Sequence, residues 1–526
     1  MPLQFSSATH PKAYKAYSAP VLATPARRNN APPFLSHTGG AASAFDEPIA
    51  DATFCPTGAP ESALGLDLDR YGNFWRQSLY GREKIGAIDA TGRYWFVNGQ
   101  QGDFFESRNP AREGLLEIDL DNQPHPVVQA LRTRERQRAL AGSDIPALRA
   151  RLNPYGITGR GVKIGVLDPY EPSDEVAETN NNHAASPWKV SDHSKATSTI
   201  INDPTWGLAP GAQVVDAGFA PKGFDGSVDA DDINAARSNF METACNLFDE
   251  TSQRINQLLQ QKTPDLRVIS LTWGASMLSV LDSIQEDLNI LKENGDYLYP
   301  NARRQILGPA LYQGPAAQQQ ALLNFITQTY YHPKVQQARQ RYIEVTRQAA
   351  AQGVTIVAAA GNEHGQNFSR LSIPPGMEMD ELAKSPYVIS VAASDTHQTP
   401  GYRGDDSIAY FSSRGDGLYF NPTVAAPGQN IYISRPYETL SGNQVESGTS
   451  FAVPYVCSVI ALMLQVNPSL TFEQIKSLLQ QTAYRLPGYP VAAQGAGVVQ
   501  PEAALQALGL PLNQAVRLQG PLRAHL

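Results

Sequence analysis

Short, largely apolar runs closed by glycine or a polar residue recur through the middle and C-terminal parts of this chain. Val162-Lys163-Ile164-Gly165-Val166-Leu167 runs into Asp168, and Val354-Thr355-Ile356-Val357-Ala358-Ala359-Ala360 runs into Gly361-Asn362. Gly207-Leu208-Ala209-Pro210-Gly211-Ala212-Gln213 feeds the pair Val214-Val215. Runs of this kind predict strands buried on both faces, as in a parallel sheet covered by helices. Helical patterns lie between them. Ala196, Ser198 and Thr199 follow His193 and are small enough for a helix packed close to the sheet, while Val453 to Leu464 predicts a buried helix that opens at Gly448-Thr449-Ser450. Leu281, Ile284, Leu288 and Leu291 recur at helical spacing, and glutamine-rich stretches from Gln313 to Gln348 keep the same period. Alternating strands and helices of this sort predict the α/β class.

The N-terminal part reads differently. Residues 1–58 are rich in Ala, Pro, Ser, Thr and Asn and predict a disordered leader, either a plain tail or a delivery signal outside the general secretory route. From 59 to 150, Phe74-Trp75, Tyr94-Trp95-Phe96-Val97 and Phe104-Phe105 alternate with Gly and Asp and predict short strands and hairpins in a small β-rich or α+β domain. Val127 to Leu152 predicts a helical connection. This region reads equally as a prosegment over an active site or as a permanent accessory domain. Residues 151–510 then form the main domain, and 511–526 a tail.

Four side chains in the main domain carry candidate chemistry. Ser450 stands where a helix begins, so nearby N–H groups lack helical acceptors and face outward as donors for a developing anion. A weak nucleophile on such a turn suits acyl transfer if a base is at hand. Taken alone, the triplet is better explained as an ordinary Ser/Thr helix cap, and only the other groups upstream shift the balance. His193 opens a helix of small residues; its rival, His183, is followed by Pro187, which would interrupt a helix. Asp168 ends an apolar strand, where open α/β sheets place their sites, whereas Asp174 and Glu175 nearby do not. Asn362 after Gly361 is either a turn residue or a side-chain amide at the sheet edge.

Asp168, His193, Asn362 and Ser450, taken in that order, resemble the subtilisin-like serine peptidases. The resemblance runs from about Tyr155 to about Leu508, roughly two thirds of the chain. It is strongest in Gly448-Thr449-Ser450-Phe451-Ala452-Val453-Pro454, Ala359-Ala360-Gly361-Asn362 and Gly207-Leu208-Ala209-Pro210-Gly211-Ala212. Phe411-Ser412-Ser413-Arg414-Gly415 and Val424-Ala425-Ala426-Pro427-Gly428 also match. The Asp and His blocks depart from the pattern: Asp168-Pro169-Tyr170 stands for Asp-Thr/Ser-Gly, and His193-Ser194-Lys195 for His-Gly-Thr.

The resemblance implies a three-layer subtilisin-like fold with a mostly parallel central sheet. It also implies a serine endopeptidase in which His193 is the base for Ser450, Asp168 orients the imidazole, and Asn362 joins the Ser450 N–H in an oxyanion hole. A histidine base fails when it takes up a proton, near pH 6.5 for an unperturbed imidazole. Gly226 and Ser227 on one side, and Thr272, Trp273 and Gly274 with Ala360 and Gly361 on the other, are the implied substrate-binding positions, pairing with an extended peptide. Trp273 reads either as pocket bulk or as a core aromatic. Asp229, Asp231 and Asp232 read as the acidic start of a helix, with attraction of basic substrate residues as the alternative. The long stretch from Gly274 to Asn362, where the resemblance implies one crossing helix, predicts a helical insertion at about 276–345 that acts as lid, exosite or buttress.

Composition narrows the remaining choices. The 526 residues, 42% hydrophobic, can bury a large core. A net charge of −8 without a Lys/Arg cluster leaves no nucleic-acid footprint. Three cysteines, Cys55, Cys245 and Cys457, make no disulfide framework and fit a reducing compartment, with Cys457 a buried thiol. No run reaches the roughly 20 apolar residues of a membrane span. Met1-Pro2-Leu3-Gln4-Phe5-Ser6-Ser7 lacks the start of a secretory signal, so the expected location is the cytoplasm or a destination reached by another export route. No cofactor is required by the implied chemistry; calcium is implied by the resemblance alone, with no ligand set to name and no other metal. The expected partner is a protein or peptide substrate. A catalytically silent subtilase fold that binds peptides is the alternative; an esterase or lipase is a weaker reading, because this sequence lacks the Gly-x-Ser-x-Gly elbow of the α/β-hydrolases and has the wrong chain order for that fold.

Overall fold

The computed structural model describes residues 66–68, 73–78, 81–88, 94–96, 101–102, 144–169, 171–172, 188–219, 231–291, 296–364, 376–397, 404–433 and 445–512. The leader, Phe104-Phe105, residues 127–143, His183, Asp174, Glu175, Gly226, Ser227, Asp229, Cys55 and most of the tail lie outside these residues.

Five short strands, β1 (Leu66–Leu68), β2 (Asn73–Ser78), β3 (Gly81–Ile88), β4 (Tyr94–Phe96) and β5 (Gln101–Gly102), pair antiparallel in sequence order. The two aromatic clusters that predicted strands fall in β2 and β4.

The main domain begins with helix α1 (Ile145–Leu152) and is organised on a second sheet. Its strands are β6 (Lys163–Leu167), β9 (Gln213–Asp216), β10 (Leu266–Leu271), β11 (Thr355–Ala359), β12 (Val388–Asp395) and β14 (Val424–Pro427), in the order β9-β6-β10-β11-β12-β14 and all parallel. A short β13 (Ser407–Ile408) runs antiparallel beside the end of β12. Two-residue ribbons, β7 (Glu171–Pro172) with β8 (Trp188–Lys189) and β15 (Ile431–Tyr432) with β16 (Val445–Glu446), lie outside it.

Strand alternation divides the apolar residues between two cores. Ile164, Val166, Val268 and Val357 face a core that includes α8 (Thr449–Val466), while Leu167, Ile269, Leu271, Ile356 and Ala358 face the opposite one. Both faces are therefore dry, which is why these strands read as nearly continuous apolar runs. The first face is covered by α1, α2 (Asp192–Asn202), α8, α9 (Phe472–Thr482) and α11 (Pro501–Ala507), with a short α10 (Val491–Gln494) between the last two. The second is covered by α3 (Ile233–Gln260), α4 (Met277–Asn289), α5 (Pro300–Leu307), α6 (Pro315–Tyr330) and α7 (Pro333–Ala351). The result is a three-layer α/β fold.

Helix α8 is apolar on every side because every residue from Thr449 to Leu464 is buried. It is long and apolar enough to cross a bilayer, but 89% of it is enclosed by the protein, so its hydropathy is that of a central core helix.

The segment expected as an insertion, about 276–345, holds α4, α5, α6 and the larger part of α7. Leu281, Ile284 and Leu288 are buried in α4 as their spacing predicts, but Leu291 lies beyond the helix and is exposed, because Ile290 already turns to extended backbone. The insertion shares one continuous core with the sheet: Ile326, Tyr330 and Tyr342 join the same cluster as Leu167 and Leu271. It is a buttress.

Candidate active site

Register places the site. Leu167 in β6 lies beside Leu271 in β10, which lies beside Ala358 in β11, so three strands end together. The residues that follow, Asp168, Thr272 to Gly274 and Gly361-Asn362, collect at one carboxyl edge of the sheet, where such folds carry ligands.

Asp168 is buried at the end of β6, and its Oδ2 lies 2.5 Å from Nδ1 of His193. His193 is the second residue of α2, a helix held open by Ser191, whose Oγ accepts from the Ser194 N–H at 3.0 Å. The other ring nitrogen, Nε2, is 3.0 Å from Oγ of Ser450. A carboxylate at Nδ1 keeps the proton on that nitrogen and leaves Nε2 free to accept from the serine. The Phe451 ring meets the imidazole edge-on, with centroids 5.7 Å apart. Ser194 and Lys195, the unusual residues beside His193, do not disturb this chain. Ser194 is buried within the cap of α2, and the Lys195 ammonium pairs with Asp192 at 2.9 Å.

Ser450 sits in the first turn of α8. Gly448 before it has extended backbone that any residue could adopt; what requires glycine is space, since a Cβ there would stand 3.0 Å from the Ser450 Oγ and 3.4 Å from the Phe451 ring. Asn362 approaches from the end of β11. Its Oδ1 accepts from both the N–H and the hydroxyl of Thr449, each at 2.9 Å, which leaves Nδ2 as the unengaged end of the carboxamide. Thr449 also accepts from the Gly361 N–H at 3.2 Å. Thr449 therefore orients the amide, a role that sequence reasoning missed by reading Gly-Thr-Ser for its serine alone. The signal was there in the hydroxyl adjacent to the serine, but its partner is 87 positions away.

These groups line a cleft of about 390 Å³ bounded by Asp168, Pro169, Ser191, His193, Ser450 and Thr449, and by Thr272, Trp273, Gly274, Ala359, Gly361 and Asn362. Ala360 is not among them: its N–H donates to Val391 and its carbonyl accepts from Asp380, so both backbone groups are spent inside the protein. Trp273 combines its two readings, lining the cleft while packing edge-on against Phe219 at 5.1 Å. Asp231 and Asp232 serve structure: Asp232 caps α3 through the N–H groups of Asn234 and Ala235, and Asp231 accepts from Asn301 and Ala302.

Two acids that the sequence did not single out, Glu363 and Asp380, complete the cleft. Burial raises Glu363, offset in part by hydrogen bonds from Ser413 and the Asn362 N–H. Burial holds Asp380 well above the ordinary carboxylate range. Glu363 and Glu381 add to that rise, while the Leu382 N–H and Lys384 oppose it. Cys457, enclosed in α8, is pushed up to about 12 by burial and is no nucleophile.

Residues 159–500 match the subtilase family, peptidase S8. This chain belongs to the subtilase family. It is 33% identical over 173 residues to serine protease AprX of Bacillus subtilis (strain 168), a match covering 30% of this chain and 37% of that protein. Against subtilisin BL of Lederbergia lenta the figures are 32% over 161 residues, 31% of this chain and 49% of that one. The matched segment thus spans less than half the length of these curated relatives. Among solved structures, MycP1 from Mycobacterium smegmatis aligns with 73% of this subtilase and 88% of its own chain, at 19% identity and a TM-score of 0.39.

Proposed function

We propose that this subtilase is a serine endopeptidase acting on proteins or peptides through Asp168, His193, Ser450 and Asn362. The observation that carries this reading is the continuous hydrogen-bonded chain from the Asp168 carboxylate through the His193 ring to the Ser450 hydroxyl, at 2.5 and 3.0 Å. Such a chain turns a weak alcohol into a nucleophile.

In this mechanism the Ser450 Oγ forms a bond to the carbonyl carbon of the scissile peptide while its proton passes to Nε2 of His193. Asp168, already at Nδ1, stabilises the imidazolium. Negative charge gathers on the former carbonyl oxygen, where the Ser450 N–H and Asn362 Nδ2 donate to it. The C–N bond then breaks and the leaving amine takes the proton from His193. Water enters, gives a proton to the same nitrogen and attacks the acyl carbon. Cleavage of the ester bond returns the proton to Ser450.

A fluorophosphonate probe tests the reading directly. Covalent labelling of the wild type, absent in Ser450→Ala, is the expected result. Failure to label either would favour a silent fold that binds peptides without cutting them.

A further inference from the structure

Most of the charge in this cleft is answered by the protein, and one carboxylate is not. Asp380 is only 6% exposed yet lines the same cleft as Ser450. Its Oδ1 accepts from the Leu382 N–H at 2.8 Å, and its Oδ2 has no hydrogen-bond partner among the described residues. The facing wall is stripped to backbone where this carboxylate stands: a Cβ on Gly274 would lie 2.0 Å from Oδ2 and 2.4 Å from Cγ. Glu363 stands in the same cleft, its Oε2 accepting from the Asn362 N–H at 2.8 Å and the Ser413 hydroxyl at 2.7 Å. No lysine or arginine is among the described residues that line the cleft.

The adjacent acid shows what a satisfied carboxylate looks like here. Glu381 is also buried, but it receives the Lys384 ammonium and the Tyr330 hydroxyl. Lys384 is the cation whose charge reaches Asp380, and it is engaged by Glu381. A buried acid left without a cation is costly unless it stays protonated or a cation arrives from outside. Two carboxylates at the wall of a cleft that ends at a nucleophile describe a socket for such a cation.

We propose that Asp380 is the specificity-determining residue of this cleft. It would receive the guanidinium or ammonium of an arginine or lysine at the residue whose carbonyl Ser450 attacks, a role that rests on the peptidase reading and names its substrate class. Glu363 supplies the second carboxylate. A guanidinium offers five donors in a planar fork and suits two separated carboxylates better than an ammonium does, so arginine is the preferred residue.

Two measurements test this, one of which needs no catalysis. In the Ser450→Ala protein, calorimetric titration should show benzamidine binding at least about tenfold more tightly than its neutral isostere benzamide, with the difference lost in Ser450→Ala/Asp380→Asn. In the wild type, peptide p-nitroanilides differing only in the residue before the anilide should give kcat/KM about 100-fold higher for arginine than for leucine, a ratio that collapses in Asp380→Asn. The carboxamide introduced by Asp380→Asn can keep the acceptor for the Leu382 N–H; if that variant does not fold, the two ratios measured with Asp380 in place still decide. Equal binding of benzamidine and benzamide, a preference for leucine or phenylalanine, or an arginine preference that survives Asp380→Asn overturns the proposal. Absence of turnover together with absence of fluorophosphonate labelling sinks the peptidase reading instead, and the benzamidine contrast then judges the socket by itself.

Discussion

The two walls of the cleft are built on opposite principles. On the wall formed by Asp168, His193 and Ser450, each polar group has its partner within the protein: carboxylate to imidazole, imidazole to hydroxyl. On the wall formed by Gly274, Glu363 and Asp380, a nearly enclosed carboxylate lines the cleft with one oxygen unpaired among the described residues. The first wall is complete before a substrate arrives, as preorganised chemistry requires. The second is complete only when something else fills it, as recognition requires. Their supports differ as well. The first hangs from strand ends and helix starts of the main sheet. The second is fastened to α6 and α7, through Tyr330 to Glu381, Tyr342 to the Leu382 carbonyl at 2.8 Å, and Thr346 to Ser385 at 2.7 Å. The helices packed on this face of the sheet therefore also fix the segment carrying Asp380.

If the first wall is self-contained chemistry, breaking it should have the largest effects and be indifferent to which peptide is offered. Ser450→Ala or His193→Ala should each lower kcat about 10⁶-fold, and Asp168→Asn about 10⁴-fold by leaving the imidazole in the wrong tautomer. Equal losses on arginine and leucine substrates, measured by single-turnover kinetics, are expected. A loss confined to one substrate would show that the walls are not separable. Next in size is the oxyanion donor. Asn362→Ala should reduce kcat about 10²–10³-fold with little change in KM. Thr449→Val should reproduce part of that loss, because the carboxamide keeps the Thr449 N–H but loses the hydroxyl that fixes Oδ1. A Thr449→Val enzyme with unchanged kcat and raised KM would remove the positioning role.

The same division explains what could be read from the chain. Asp168 and Asn362 each close an apolar run, and Ser450 opens a helix, so local pattern marked the places where a sheet of this kind carries chemistry. The two dry faces followed from those same runs, whereas the order of the strands did not. Asp380 gave no such sign. It lies in Met379-Asp380-Glu381-Leu382, an ordinary acidic turn, and it enters the cleft only because its N–H bonds to the Ala360 carbonyl and Gly274 makes room opposite. Asp231 and Asp232 looked more suggestive, being clustered, yet they cap α3 and tie it to α5. Charge that attracts a substrate is set by what is missing around it, and a missing partner is a three-dimensional fact.

A smaller effect tests the link between α6 and the second wall, the floor of the cleft. Tyr330→Phe removes the hydroxyl from Glu381 inside the core, and should cost about 1–3 kcal/mol of stability in urea unfolding. If α6 supports the floor, the ratio of arginine to leucine turnover should fall with it, while fluorophosphonate labelling of Ser450 persists. A stability loss with an unaltered ratio would make the insertion a buttress of the sheet only.

The smallest expected effect concerns stability alone, and its sign separates a structural acid from a functional one. Burial raises Asp380 in the folded protein above its value in the unfolded chain. Between those two values the folded state holds a proton that the unfolded state has released, so stability is greatest below the unfolded value, near pH 3.9, and declines as pH rises toward the folded one. An acid placed for structure, as in a salt bridge, would give the opposite slope. Asparagine has the same shape and no proton to lose. Asp380→Asn should therefore melt at a higher temperature than the wild type at pH 8, the gap narrowing as the pH is lowered toward 4, even as arginine selectivity disappears. Glu363 is raised in the same direction and its charge adds to the rise of Asp380, so losing the Asp380 charge eases Glu363 as well and moves the comparison the same way. Melting curves at several pH values decide it: a wild type more stable than Asp380→Asn at pH 8 would mean that this carboxylate already has its cation, and that the second wall is as closed as the first.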